Sequence, residues 1–130
     1  MNFETEREIC GRYFAGAKSD RLFFELTSKK KRIKAISRFS HDSLLYLNPE
    51  KIFKSNKMLF SKREILEFLA ADNVYCICFN QAFDGKLADI NRALEEMYSI
   101  GPYFLFNIDD KKGFLETEYN FSEHYSYMLA

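Results

Sequence analysis

Val74-Tyr-Cys-Ile-Cys-Phe79, Tyr103-Phe-Leu-Phe-Asn-Ile108 and Phe114-Leu-Glu-Thr-Glu-Tyr119 are the stretches on which the fold turns. The first is apolar throughout, with β-branched and aromatic residues and no polar alternation. It is too short for an isolated helix and reads as a strand buried on both faces at the centre of a sheet. The later two flank Asp109-Asp-Lys-Lys-Gly113, whose glycine can take positive φ, so together they read as a hairpin. In between, Asp84 is placed to cap a helix carrying Leu87, Ile90, Leu94, Met97 and Tyr98 on one face. Gly101-Pro102 ends that helix, because glycine accepts a left-handed cap and proline cannot continue the ladder. A helix joining two neighbouring strands predicts a parallel, right-handed crossover between 74–79 and 103–108.

Working outward, Thr5 and Glu8 form a T-x-x-E capping box for an N-terminal helix with Ile9, Tyr13 and Phe14, ending near Gly16. From Leu22 to Phe39 charged and apolar residues mix at short range, which reads as a β-hairpin with a basic turn at Ser28 to Lys31. Ser43 to Leu47 is either a short strand or a turn of helix, and Asn48-Pro49 marks a bend. Ser61 and Glu64 make a second capping box ahead of a helix from Lys62 to Ala71, which delivers the chain into the 74–79 strand. Beyond Tyr119 aromatic and polar residues alternate, as an edge strand or an irregular tail. The mixed order predicts one compact α+β domain over residues 1–130, with helices packed on a central, mostly antiparallel sheet.

Composition bounds the class. An apolar content of 47%, with 14 Phe and 8 Tyr in 130 residues, excludes a disordered chain. No apolar run approaches the ~20 residues of a membrane span, and the first residues are acidic where a signal peptide would be basic and then apolar. A cytoplasmic protein with no membrane partner is expected. Three cysteines, two of them at Cys76 and Cys78, fit buried thiols in a reducing compartment. The formal net charge is zero, yet residues 1–65 carry 15 Lys and Arg against 8 Asp and Glu, and residues 66–130 carry 4 against 11. Either the fold interleaves the halves and cancels the field, or a basic and an acidic patch face different partners.

The chemistry-bearing residues are sparse. Cys76-x-Cys78 is the nearest approach to a metal motif, but only Cys10, His41 and His124 remain to complete four nitrogen or sulfur ligands, so no metal is expected. His41-Asp42 and Glu123-His124 each place an imidazole beside a carboxylate, although adjacent residues rarely make that contact. No glycine-rich phosphate loop is present. Neither a cofactor nor a catalytic residue is assigned, and the chain is not read as an enzyme.

Two surfaces remain. If Phe104, Phe106 and Ile108 face the core with Leu115, Thr117 and Tyr119, then Tyr103, Leu105, Phe114, Glu116 and Glu118 face away. With Glu95, Glu96, Asp109 and Asp110 they form an acidic, aromatic-bearing surface for a basic protein partner, unless a helix covers that face. The alternative is nucleic-acid binding through Lys29, Lys30, Lys31, Arg32, Lys34 and Arg38, continued by Lys51, Lys54, Lys57, Lys62 and Arg63. Phe39, Tyr46, Phe53 and Phe60 are interleaved there as possible base-stacking groups.

In length, α+β pattern, Phe and Tyr richness, lack of a catalytic motif and the acidic segment Glu95-Glu96 with Asp109 to Glu118, the chain resembles small cytoplasmic immunity proteins of bacterial toxin systems, including contact-dependent growth inhibition. That resemblance implies a protein that binds one cognate toxin, often a nuclease, and blocks its active site or substrate surface.

Overall fold

The computed structural model, which describes residues 1–118 and 124–130, is built on one six-stranded sheet. Its strands are β1 (Ile52–Asn56), β2 (Asn73–Cys78), β3 (Lys86–Asp89), β4 (Tyr103–Asn107), β5 (Lys112–Glu116) and β6 (Ser126–Leu129). They lie in the order β1-β6-β5-β4-β2-β3, and each neighbouring pair is antiparallel. Helices α1 (Phe3–Tyr13), α2 (Gly16–Leu26) and α3 (Arg32–His41) and the single turn α4 (Ser43–Tyr46) come before the sheet; α5 (Lys62–Leu69) and α6 (Ile90–Met97) are set within it in sequence. The expected α+β architecture is the observed one.

Alternation along each strand sends side chains to two separate cores. Tyr75, Ile77, Phe104, Phe106, Leu115, Tyr127 and Leu129 pack with Ile9 and Tyr13 of α1, Leu22 and Leu26 of α2, and Ala35, Ile36 and Phe39 of α3. On the opposite face Val74, Cys76, Cys78, Tyr103, Leu105, Phe114 and Met128 pack with Ile65 and Leu69 of α5 and Ile90, Ala93, Leu94 and Met97 of α6. The middle of the sheet is thus covered on both sides, which is why its strands read as continuous apolar runs.

The β4–β5 hairpin forms as expected, and Tyr75 and Ile77 pair with Phe106 and Phe104. Expectations are corrected in three parts of the chain and at its tail. First, β2 is interior but next to an edge, and it meets β4 antiparallel. The segment around Leu87 is not helical: it returns as β3, so the chain has reversed once more before the helix begins. Asp89, not Asp84, caps α6, its carboxylate accepting from the Arg92 backbone N–H at 3.1 Å.

Second, residues 22–39 form two helices, not a hairpin. The inward positions of α3 are Arg32, Ala35, Ile36, Phe39 and Ser40, spaced by threes and fours as a helix requires. Because the first of them is charged, the helical period was disguised as alternation.

Third, α1 is capped by Asn2, whose side chain accepts from the Thr5 N–H, and Thr5 itself is buried. The Ser61–Glu64 capping box forms with both of its hydrogen bonds. The tail contributes β6, which is inserted between β1 and β5 and is no edge. Tyr119 and Glu123 lie outside the described residues.

Candidate functional site

Asn107, the last residue of β4, organises the end of the hairpin. Its side-chain carbonyl accepts from the backbone N–H groups of Asp109 and Asp110 at 3.0 and 3.1 Å. Its amide donates to the Leu69 carbonyl at 2.7 Å and to the Asp110 carboxylate at 3.3 Å. The turn is thereby tied to the end of α5, and both aspartates are left exposed. Beside it, Ala70 takes a left-handed conformation that ends α5 and swings the chain into Asp72, whose carbonyl accepts from the Ile90 N–H at 2.9 Å. These two turns and Leu87 of β3 enclose an open cleft of about 460 Å³.

The cleft is acidic for a structural reason. Among the described residues none of Asp72, Asp109 and Asp110 is in an ion pair. The two lysines that follow Asp110 in sequence are drawn elsewhere: Lys111 to Glu8 at 2.9 Å, and Lys112 over the Phe68 ring at 5.5 Å. Leu87 stands at the rim, 61% exposed. The arrangement offers three carboxylates outside any ion pair beside the apolar side chains of Leu87 and Ile108, which suits a cationic side chain with an aliphatic stem.

Of the residues assigned to an acidic surface, Glu95 and Glu96 are exposed on α6, Asp109 and Asp110 on the hairpin turn, and Glu118 beyond β5. The first pair and the second lie at opposite ends of β4, so they do not form one patch. Tyr103, Leu105, Phe114 and Glu116 are corrected to core residues, each fully buried. Their strand parity is as expected, but α5 and α6 cover the face they occupy. Glu118 borders a second cleft of about 320 Å³ with His41, Asp42, Leu44, Leu45 and Tyr125.

Glu116 sits in a polar cluster that sequence order did not reveal. Its carboxylate accepts from the Tyr103 hydroxyl at 2.7 Å and the Ser99 N–H at 3.1 Å, and it meets His124 Nε2 at 3.0 Å. Burial raises its pKa, and these contacts pull against that rise. The only advance signal was a glutamate within an apolar strand. His124 thus meets Glu116, eight positions back in sequence.

The basic set also divides. Arg32 is buried, and Arg38 reaches Glu25 at 2.5 and 2.6 Å, so both serve the fold. Lys29, Lys30, Lys31 and Lys34 remain exposed. Phe39 and Phe60 are core residues, Tyr46 is half-buried, and Phe53 is exposed but stacked on Phe68 at 5.6 Å. Lys62 and Arg63 lie on α5, across the sheet from α3, so residues 29–63 make no single stacking surface.

Cys76 and Cys78 share one face, as a strand dictates, and burial pushes their thiols up to about 12 and about 11. They behave as small core groups. Among the described residues no group of three or more His, Cys, Asp and Glu is arranged to hold a metal ion. Compared with known proteins, the chain matches no family model, no curated sequence and no solved structure.

Proposed function

We propose that the chain is a binding and inhibitory protein of the toxin-immunity kind, acting in the cytoplasm on a cationic protein partner. The observation that carries this reading is the cleft between the Ala70 to Asn73 turn and the β4–β5 turn, with its unpaired carboxylates and exposed Leu87. The backbone of both turns is fixed by hydrogen bonds, so the positions from which the carboxylates project are set before a partner arrives. Pre-organisation of this sort lowers the ordering cost of association. Unpaired acids at a rim speed the encounter with a basic surface and disfavour acidic competitors. On this reading a partner that inserts Arg or Lys here has its active or substrate surface blocked by the bound chain.

The test is capture from the native cell with the immobilised wild-type chain, followed by identification and a direct binding measurement. A basic toxin domain bound in competition with Asp72 and Asp109 variants is the expected result. A captured partner whose binding is indifferent to those residues removes this site from the reading.

A further inference from the structure

The helical layer carries a second surface, toward the opposite end of β2 from the acidic cleft: Arg32 of α3 reaches Asp84, which accepts from the Cys78 N–H, whereas Asp72 and Asn73 line the cleft. At the tip where α2 turns into α3, Lys29, Lys30, Lys31 and Lys34 are exposed. Among the described residues none of them is in an ion pair. Two large apolar side chains stand with them: Phe24 is 66% exposed and Ile33 63% exposed. The Lys31 ammonium lies 5.8 Å from the centre of the Phe24 ring, so the charged and apolar groups share one surface. Arg32, in the middle of the basic run, turns inward to Glu6 and Asp84 and pins the tip to the body of the protein.

We propose that this tip docks onto the surface of an anionic phospholipid bilayer, the lysines against the headgroups and Phe24 and Ile33 at the headgroup–acyl boundary. Lysines beside Phe and an aliphatic residue are what such a boundary accommodates, each cation contributing through the negative surface potential. Nucleic acid fits less well. Ile33 has no ring to stack on a base, and the two arginines of the run are occupied internally, which removes the forked donors that read phosphates and base edges. No described helix is long and apolar enough to cross a membrane, so the contact is one of lying on the surface. A peripheral contact of this kind departs from the expectation of no membrane partner, which rests on the lack of an apolar span and of a signal-like N-terminus.

The experiment is co-sedimentation of the full chain with sucrose-loaded vesicles, either phosphatidylcholine alone or with about a third phosphatidylglycerol. Binding to the anionic vesicles only, weakened by salt, is expected. Lys29→Gln, Lys30→Gln and Lys31→Gln each lower the partition coefficient by about fivefold. Phe24→Ser with Ile33→Ser lowers it further while leaving the salt dependence intact. Glu67→Lys, on α5 across the sheet, leaves it unchanged. All these positions are exposed, and thermal melting curves verify that each variant folds. Failure of the wild type to sediment with anionic vesicles overturns the proposal, as does equal sedimentation with neutral ones. So does retention of vesicle binding after the lysines are replaced. Binding of a single-stranded oligonucleotide in place of vesicles, indifferent to Phe24→Ser and Ile33→Ser, assigns the tip to nucleic acid instead.

Discussion

Arg32 holds Glu6 in a fork: its two terminal nitrogens donate to Glu6 Oε1 and Oε2 at 2.6 and 2.8 Å. The remaining guanidinium edge reaches Asp84 at 2.8 and 2.9 Å, and the Tyr75 hydroxyl donates to the same Glu6. One buried side chain thus fastens α1, α3, β2 and the β2–β3 loop together. Removing it strands two carboxylates, one of them wholly buried. Arg32→Ala is expected to destabilise the protein by roughly 3 to 5 kcal/mol, whereas Arg32→Met with Glu6→Gln recovers a large part of that loss. Urea titration of the three proteins measures it. Equal losses in the single and double variants contradict the account.

Glu116 predicts a pH dependence with a definite sign. Burial is the largest influence on its carboxyl and raises the pKa above the ordinary 4.5; hydrogen bonds from Tyr103 and Ser99 and the charge of His124 oppose this without cancelling it. The folded protein therefore keeps this proton to a higher pH than the unfolded chain does. Between 4.5 and the raised native value the native state binds more protons, and stability falls as pH rises. Glu116→Gln removes the titration while keeping an acceptor for Tyr103 and Ser99. Its stability is expected to decline less steeply than wild type across that window. Denaturant midpoints from acid to neutral pH give the comparison, and parallel slopes refute it.

Position 116 also separates fold from surface. Glu116→Lys would bury an ammonium against His124 and leave Tyr103 without its acceptor, with an expected loss of at least about 3 kcal/mol. Glu118→Lys, two residues on and exposed, leaves the unfolding midpoint where it was. Similar behaviour of the two variants in the same titration means that α6 does not cover this face.

Some of this was legible in the chain. The apolar run at Val74 announced an interior strand, the run at Tyr103 one arm of a hairpin, and Ser61 with Glu64 announced α5, because these signals are local. The hairpin turn was legible too, and with it Asp109 and Asp110. What failed was non-local. The burial of Tyr103, Leu105, Phe114 and Glu116 depends on α5 and α6 arriving from elsewhere in sequence to cover the sheet. Helices α2 and α3 were missed because buried Glu25 and Arg32 occupy inward positions, so polarity no longer marked the solvent side. Asp72 was not singled out, since nothing near it in sequence says that the β4–β5 turn lies alongside.

Gly101 tests the packing of the β4 entry. Its φ of +49° is a left-handed conformation, and a Cβ added there would lie 2.4 Å from the Thr117 carbonyl oxygen and 3.1 Å from Glu116 Oε2. Both neighbours are fixed, the first in backbone and the second in the buried cluster. Gly101→Ala is expected to destabilise by more than about 1 kcal/mol, beyond the effect of φ alone. A neutral or stabilised variant in thermal melting would show that the β5 end yields easily.

The acidic cleft is tested by charge. Asp72→Lys with Asp109→Lys keeps both turns, because Asp72 contributes its backbone carbonyl to Ile90 and Asp109 its N–H to Asn107, and among the described residues neither side chain is hydrogen-bonded or ion-paired. Folding should be unaffected, as checked by circular dichroism. Binding of a cationic partner should fall. If the carboxylates act at the rim, the association rate drops and its salt dependence weakens; if they are desolvated against Arg or Lys, dissociation quickens and the loss reaches roughly 2 to 5 kcal/mol. Surface plasmon resonance at two ionic strengths separates these cases and so locates the cleft within the interface. Glu95→Lys with Glu96→Lys is the matched control, equal in charge change but at the other end of β4. A loss of protection or binding confined to the Glu95–Glu96 variant moves the functional surface to α6 and away from the cleft.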